Sequence, residues 1–202
     1  MKSTRRKKNN YGLTVLIVLV VAILFGFIFD FAMIFVEKRI YPKPEEYIPF
    51  VEKYAEEYGV PTDLVYAVIK TESGFDSSAV SSKGAIGLMQ MMPATFEWLT
   101  DDILREHLGI GMLYDPETNI KYGTYYLSRL YNRFGDWDTA LAAYNGGEGN
   151  ISEWLKDKKY SDDGIKLKTD KIPDEFSETK NYVKKVNTAL KKYKELYNNK
   201  NN

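Results

Sequence analysis

The sequence predicts an all-α fold, in which one helical domain follows a single transmembrane helix. Three observations support this prediction. Near the N-terminus, a stretch of about 20 residues has no charged side chain and is long enough for a helix to cross a bilayer. Several later segments repeat apolar residues at spacings of three and four, which is typical of amphipathic helices. No segment alternates apolar and polar residues over the length of a strand.

The first forty residues differ in composition from the rest of the chain. Residues 1–10 are basic and the stretch from Tyr11 to Phe29 is uncharged, so we expect a cytoplasmic tail over 1–10 and a transmembrane anchor over 11–36. Because basic residues favour the cytoplasmic side, the remainder should lie outside the cell, held at the cell membrane by a single pass. The alternatives are a buried core helix or a cleaved signal peptide, whose apolar region is usually about 7–15 residues. The continuation "DFAMIFVEKRI" offers no clear cleavage site.

The charge and composition of the exported part exclude several kinds of binding partner and reaction. Residues 41–202 carry 21 Lys and Arg against 26 Asp and Glu, so a nucleic-acid partner, which needs a basic face, is not expected. The chain has no cysteine and one histidine, His107, which excludes thiolate chemistry and leaves little for a histidine metal site or a Ser-His triad. We therefore predict no metal and no cofactor.

A proline-rich spacer, residues 37–46, leads into a domain predicted over 47–195. Its first helix ends at Gly59, and the second begins with the N-terminal signal "PTD" and continues as an apolar stripe. Glu72 follows Val68 by four residues, on the inward face of the last turn. Further helices are predicted at "PATFEWLTDDIL", "NIKYGTYYLSRLYNRF", "DWDTALAAYN", "NISEWLKD" and "EFSETKNYVKKVNTALKKYKELY".

Two shorter patterns lie in the second half of the domain. Asn150 with Glu153 resembles a capping box, which predicts a helix start at that point. The preceding "GGEG" is interpreted as a tight loop between helices, because no strand precedes it and no Lys-Ser/Thr follows it as in a phosphate-binding loop. The last residues, 196–202, are predicted to form a disordered tail.

Glu72 is a candidate catalytic acid on the residues alone. A carboxylate at a helix C-terminus meets the negative end of the helix dipole, and apolar neighbours remove it from water. Both effects favour the protonated form and therefore raise the pKa of the side chain. The alternative is a solvated residue at a helix end, as most glutamates are.

Four separated motifs resemble those of one enzyme family. "ESGF", "GAIGLMQMMP", "AAYNGGEGNI" and "ETKNYV" occur in the order seen in lytic transglycosylases of the soluble type, relatives of goose-type lysozyme, and "DPETNIKYGTYYL" is similar to the segment that joins the middle two. The resemblance covers most of residues 45–195. It implies a predominantly helical domain of the α+β lysozyme-like superfamily that cleaves the β-1,4 bond between N-acetylmuramic acid and N-acetylglucosamine. Peptidoglycan glycan strands would then be the partner, and protein partners are not indicated.

The resemblance also implies roles for individual residues. Glu72 matches the catalytic acid of the family, and Ser81 is expected near the lactyl or acetamido group of the muramic acid. Gly84 and Gly87 would let the backbone approach the sugar. The implied substrate-binding residues are Ser73, Ser81, Gly87, Gln90, Met92, Tyr144, Asn145, Glu178 and Tyr182.

Two of these assignments have a purely structural alternative. Met92, with Met89, would form an apolar wall, but a methionine cluster is more often part of a core. Glu178 and Tyr182 are spaced to lie on one face of a helix, where they could equally form a surface pair. Both alternatives are open at the level of sequence.

The mechanism implied by the resemblance does not need a second carboxylate. Most glycosidases use two, whereas the Glu72 stretch contains only Asp76 nearby, which is expected in a turn. The N-acetyl group of the substrate can replace the second carboxylate. Glu72 would protonate the leaving oxygen and then accept the proton of the 6-hydroxyl, giving a 1,6-anhydro-N-acetylmuramic acid end without water. A hydrolytic lysozyme and a non-catalytic peptidoglycan-binding scaffold are the alternatives.

Overall fold

The structure is a computed structural model that describes residues 11–198. The predicted basic tail, 1–10, and the last four residues of the predicted disordered tail lie outside the described residues. The described chain falls into two compact units that divide after Pro42.

The first unit is a single long helix, α1 (Tyr11–Ile40), whose side chains are almost all exposed. Within the described residues, α1 is the helix that is long and apolar enough to cross a membrane. It is four residues longer than the predicted anchor, because residues 37–40 contain no proline or glycine that would end a helix. The start of the predicted spacer is therefore helical.

The second unit is built from helices throughout the part of the chain that the structure describes, which confirms the all-α prediction; two isolated bridges, Val80 with Ile86 and Ile86 with Met91, are its only β-type pairings. The α-helices are α2 (Ile48–Tyr58), α3 (Thr62–Glu72), α4 (Pro93–Glu97), α5 (Pro116–Phe134), α6 (Trp137–Gly146), α7 (Glu148–Trp154) and α8 (Ser177–Tyr197). Short 3₁₀ turns lie at Glu45–Tyr47, Ile110–Tyr114, Thr169–Lys171 and Asp174–Phe176.

Local sequence explains where these helices begin and end. The side chain of Asp115 accepts a hydrogen bond from the amide of Thr118 at the start of α5, as an N-cap aspartate does. Gly59 and Gly135 end α2 and α5 in the left-handed conformation, which glycine adopts without steric cost.

The core forms around α3, which packs most extensively against α8 and also against α2. Every residue of α3 from Asp63 to Ile69 is buried. Burial of several large apolar side chains contributes about 1.5–3 kcal/mol each, so the position of α3 is strongly fixed. The helix consequently delivers its last residue, Glu72, to a defined place at the edge of the core.

Residues 73–92 connect α3 to α4 without regular structure and depend on one buried side chain. Asn119 of α5 accepts a hydrogen bond from the amide of Met89 (2.7 Å) and donates to the carbonyls of Ile86 (2.9 Å) and Leu113 (2.8 Å). A side chain at Gly87 would overlap this amide, and Gly87 also has a φ of +80°. We call residues 73–92 the site loop, since they carry several candidate site residues.

Three local predictions differ from the structure. The capping box is wrong: α7 begins at Glu148, and the Asn150 side chain inside it donates to the Gly146 carbonyl (2.8 Å). The run after Pro93 is not one α-helix, since it changes to a π-helical turn at Trp98–Ile103. Residues 196–197 belong to α8, which continues two residues past the predicted end of the domain.

Candidate active site

A pocket of about 170 Å³ opens where three helix ends meet the site loop. The C-terminus of α3, the C-terminus of α6 and the first turn of α8 each contribute side chains. This arrangement brings together residues that are more than 100 positions apart in the sequence. The lining residues are Glu72, Ser81, Ser82, Lys83, Ala85, Gln90, Met92, Tyr144, Asn145 and Glu178.

The carboxyl of Glu72 has a pKa that is shifted well away from its ordinary value. Burial is the largest influence and raises the pKa of its carboxyl from 4.5 to about 7. The charge of Glu178 raises this pKa further, whereas the hydroxyl of Tyr182, acting as a hydrogen-bond donor, lowers it. A carboxyl with a pKa near 7 is present in both protonation states at neutral pH and can therefore give and take a proton.

Two tyrosines, the half-buried Tyr144 and the buried Tyr182, accompany Glu72. The Tyr144 hydroxyl donates to the Met89 carbonyl (2.8 Å) and lies 3.3 Å from the sulfur of Met91. The Tyr182 hydroxyl is buried and has no partner of ordinary hydrogen-bond geometry among the described residues, so its contact with Glu72 is longer or more bent than a normal hydrogen bond. Burial raises the pKa of both hydroxyls well above 10, and both stay protonated.

The site loop presents its polar groups through its own hydrogen bonds. The Ser81 hydroxyl accepts from the Ala85 amide (2.9 Å). The side-chain amide of Gln90 donates to the carbonyls of Ala79 and Gly87, both at 3.0 Å. These bonds fix both side chains at the wall of the pocket.

Asn145 is held from the opposite side. Its side-chain oxygen accepts a hydrogen bond of 2.9 Å from the hydroxyl of Thr179, which is buried in the first turn of α8. The contact between α6 and α8 is close here, because a side chain at Gly146 would overlap Thr179. With its oxygen engaged, Asn145 lines the pocket in a fixed orientation.

An ion pair crosses the mouth of the pocket. Lys83 of the site loop lies 2.6 Å from a carboxylate oxygen of Glu178, and the two side chains are 71% and 70% exposed. The pair joins segments 95 residues apart in the sequence.

Seven of the ten predicted site residues line this pocket, and three do not. The hydroxyl of Ser73 donates to the Leu88 carbonyl (2.8 Å) and is occupied in holding the site loop to α3. Gly87 is buried against Asn119 and so serves packing. Tyr182 lies behind Glu72. Met89, which the sequence suggested as part of an apolar wall with Met92, is fully buried in the core. The seven are Glu72, Ser81, Gln90, Met92, Tyr144, Asn145 and Glu178.

Four residues of this region were missed by sequence reasoning. Ser82, Lys83 and Ala85 line the pocket, and Asn119 supports it from α5. The signal for Lys83 was its place between two quoted motifs, directly before a glycine. Asn119 lies in a quoted segment, but no sequence pattern shows that an asparagine on a helix will be buried.

Other parts of the described chain are less suited to be a reaction centre. Residues 11–198 contain no group of three or more His, Cys, Asp or Glu side chains that could hold a metal ion. A larger open groove, of about 760 Å³, follows the outer face of α8 and is lined by Lys180, Lys184 and Lys191 among others.

Comparison with known proteins finds relatives over most of the second unit. Residues 49–166 match the family described as "Transglycosylase SLT domain". The soluble lytic murein transglycosylase of Escherichia coli strain K12 is 35% identical over 145 residues, covering 71% of this chain and 22% of that protein. Membrane-bound lytic murein transglycosylase C of Serratia proteamaculans is 33% identical over 175 residues, covering 75% and 48%. The chain thus spans less than half the length of these relatives.

Solved structures share the fold. The 70 kDa soluble lytic transglycosylase from Escherichia coli superposes with a TM-score of 0.69 at 31% identity, covering 79% of this chain and 25% of that one. A complex of that enzyme with bulgecin A matches equally well. An inactive mutant of lytic transglycosylase Slt from Pseudomonas aeruginosa, in which a glutamate is replaced by glutamine, gives a TM-score of 0.67 at 31% identity over 78% and 25% of the two chains. These matches confirm the lysozyme-like fold that the motifs implied.

Proposed function

The chain belongs to the transglycosylase SLT domain family, and on this premise we propose that it is a membrane-anchored lytic transglycosylase of peptidoglycan. It cleaves the β-1,4 bond between N-acetylmuramic acid and N-acetylglucosamine and leaves a 1,6-anhydro-N-acetylmuramic acid end. Glu72 acts first as the general acid and then as the general base. The relatives named lytic murein transglycosylases support the reaction class.

One observation carries this proposal: the half-buried carboxyl of Glu72, with a pKa of about 7, lies in a pocket of polar, sugar-compatible side chains. General acid–base catalysis is most efficient when the pKa of the catalytic group lies near the working pH. The protonated form of Glu72 donates to the glycosidic oxygen, and the resulting carboxylate accepts the proton of the 6-hydroxyl. Tyr182 steadies the carboxylate between the two steps.

The other carboxyl of the pocket is unsuited to be a nucleophile. Glu178 is mostly exposed and is paired with Lys83, so it is solvated and its charge is partly offset. The N-acetyl oxygen of the substrate can instead attack the anomeric carbon as the glycosidic bond breaks, and the 6-oxygen then displaces it to close the 1,6-anhydro ring. Met92 and Tyr144 provide apolar surface that limits access of water to that carbon.

A hydrolytic lysozyme is the second candidate, and one observation favours it. Glu178 lines the same pocket as Glu72 and acts electrostatically on it. If Glu178 orients a water molecule, the pair fits the two-carboxylate scheme of an inverting glycosidase. The two candidates differ in product, not in fold.

Membrane attachment is proposed from α1 and its flanks. The helix is long enough to span a bilayer, and the basic residues before it favour a cytoplasmic N-terminus. A single pass then places the second unit on the wall side, where peptidoglycan is found. A relative described as membrane-bound supports attachment.

Product analysis tests the reaction. The full-length chain in detergent is incubated with purified peptidoglycan in ¹⁸O-labelled water, and released fragments are analysed by mass spectrometry before and after borohydride treatment. We expect ends that carry no label, resist reduction and weigh one water less than lysozyme products. Labelled, reducible ends as the main product would establish the hydrolase. Absence of released fragments from several wall types would favour a binding protein.

A further inference from the structure

Lys83 is displayed at the mouth of the pocket by a tight turn. The amide of Gly84 donates to the Ser81 carbonyl (2.9 Å), and the amide of Ser81 donates to the Ala85 carbonyl (2.9 Å). Gly84 has a φ of +85°, which permits this turn. Lys83 therefore stands at the tip of a short turn that the Ser81 hydroxyl also braces.

The charges of the lining make Lys83 distinctive. Of the ten lining residues, Glu72 and Glu178 are acids, Lys83 is the single cation, and the rest are neutral. An anionic ligand that enters this pocket meets one exposed carboxylate and one partly ionised carboxyl. Without Lys83, the pocket would repel such a ligand.

We propose that Lys83 recognises the carboxylates of the substrate: on binding, a substrate carboxylate replaces Glu178 as the partner of the Lys83 ammonium. The proposal rests on the proposed function, because peptidoglycan strands bear carboxylates on their stem peptides and, where peptides are absent, on the lactyl group. Lys83 would therefore be a specificity residue that favours anionic strands over neutral ones.

The existing ion pair is suited to such an exchange. Both side chains are about 70% exposed, and exposed pairs contribute only about 0–1 kcal/mol. Breaking the pair therefore costs little. Once the ligand covers Lys83, the ion pair between Lys83 and the substrate carboxylate is less solvated than the pair between Lys83 and Glu178, and it is therefore stronger. Glu178 is left free in the first turn of α8, where the positive end of the helix dipole stabilises its charge.

The test compares Lys83→Met and Lys83→Arg with wild type, all as full-length chains in detergent. Three soluble substrates are used: peptide-bearing strands, peptide-stripped strands that keep the lactyl carboxylate, and peptide-bearing strands whose carboxyls have been converted to amides. Lys156→Met is the matched control, because Lys156 also pairs with a glutamate at 2.6 Å and is 68% exposed, but lies outside the pocket.

We expect Lys83→Met to raise KM for peptide-bearing strands roughly fivefold. This factor lies between the one expected for the loss of an exposed ion pair and the one expected for the loss of a charged hydrogen bond. The kcat should change little, Lys83→Arg should restore KM, and the difference should shrink in high salt. Amidated strands should show no difference between Lys83→Met and wild type. An equal rise with peptide-stripped strands would show that Lys83 also binds the lactyl carboxylate that stripping exposes, and no rise would show that it binds only the carboxylates of the stem peptide.

Other outcomes would overturn the proposal. An equal effect of Lys83→Met on amidated and anionic strands, or no effect on any substrate, would exclude carboxylate recognition. If wild type releases no fragments, the proposed function fails instead. Cosedimentation of the same variants with native and amidated insoluble walls then decides the role of Lys83 without turnover, since only binding to native walls should weaken.

Discussion

The hydroxyl of Tyr144 donates a hydrogen bond of 2.8 Å to the backbone carbonyl of Met89. This bond joins the end of α6 to the C-terminal part of the site loop, close to Glu72. The Met89 amide is held in turn by Asn119. The peptide groups around Met89 are thus fixed from two helices, and the wall of the pocket is fixed with them.

Tyr144→Phe removes this hydroxyl and leaves the Met89 carbonyl without its donor. We expect a loss of about 1–3 kcal/mol in stability, the cost of an unsatisfied buried group, together with a fall in kcat as the site loop loosens. Thermal unfolding and turnover measure the two effects. Tyr54→Phe is the control, because its hydroxyl also donates at 2.8 Å but to Glu117, whose side chain is 42% exposed. Equal losses in both variants would contradict the special role of Tyr144.

Glu72→Gln removes the proposed acid and base while keeping shape and volume. We expect normal folding and a loss of roughly 10² to 10⁴ or more in kcat, the range for removing a general acid or base. Glu178→Gln should be milder, and Glu153→Gln, which changes an exposed glutamate on α7, should be neutral. Near-wild-type turnover by Glu72→Gln would assign the chemistry to another residue.

The raised pKa of Glu72 predicts a pH-dependent penalty on stability. The pKa of Glu72 is about 7 in the folded state, against the ordinary value of 4.5 in the unfolded state. The folded chain therefore binds the proton more tightly, and the free energy of unfolding falls as pH rises from 4.5 to 7. The full penalty, at most roughly 3 kcal/mol, is present above about pH 7 and absent below about pH 4.5. Relative to wild type, Glu72→Gln should therefore gain in unfolding temperature as pH rises from 4.5 to 8. A constant difference across this range would contradict the raised pKa of Glu72.

Gly87→Ala and Gly84→Ala separate backbone strain from packing. Both glycines have positive φ, +80° and +85°, but only a side chain at Gly87 meets Asn119. Both variants should lose about 1 kcal/mol from the left-handed conformation, and Gly87→Ala should lose about 1–3 kcal/mol more from overpacking. Thermal unfolding of the two chains measures the difference. Indistinguishable unfolding temperatures would show that the loop adjusts around Asn119.

The orientation of the anchor can be tested on intact, wall-stripped cells. Added protease should digest the second unit and leave α1 with the membrane, whereas inverted vesicles should protect the second unit. Recovery of the domain in the culture medium, with an N-terminus beyond residue 30, would show instead that α1 is a cleaved signal.

The helices of the domain were predictable because their apolar residues recur at helical spacing and their ends carry strong local signals. Gly59 marked the end of α2, and "PTD" marked the start of α3. The pattern also placed Glu72 on the last turn of α3, facing inward. These features depend on residues close in sequence, so the sequence alone contains them.

The site loop could not be predicted in the same way. Its shape depends on Asn119, which lies 30 residues from its partner Met89 and meets it only after α5 packs. Gly87 was predicted to approach sugar, yet its space is taken by that same asparagine. The ion pair of Lys83 with Glu178 likewise joins residues that are 95 positions apart in the sequence. Motifs indicated which segments form the pocket, and tertiary contacts decide which side chains line it.

The end of α3 makes helix length a requirement for the proposed catalysis by Glu72. Ser73 ties the helix to the site loop through Leu88, and the buried residues up to Ile69 fix how the helix is rotated. Adding or deleting one residue between Ile69 and Glu72 would turn the carboxyl by about 100° around the helix axis. Glu72 would then leave the pocket even though every residue type was retained. Active variants of this chain should therefore tolerate substitutions between Ile69 and Glu72 but no insertion or deletion there.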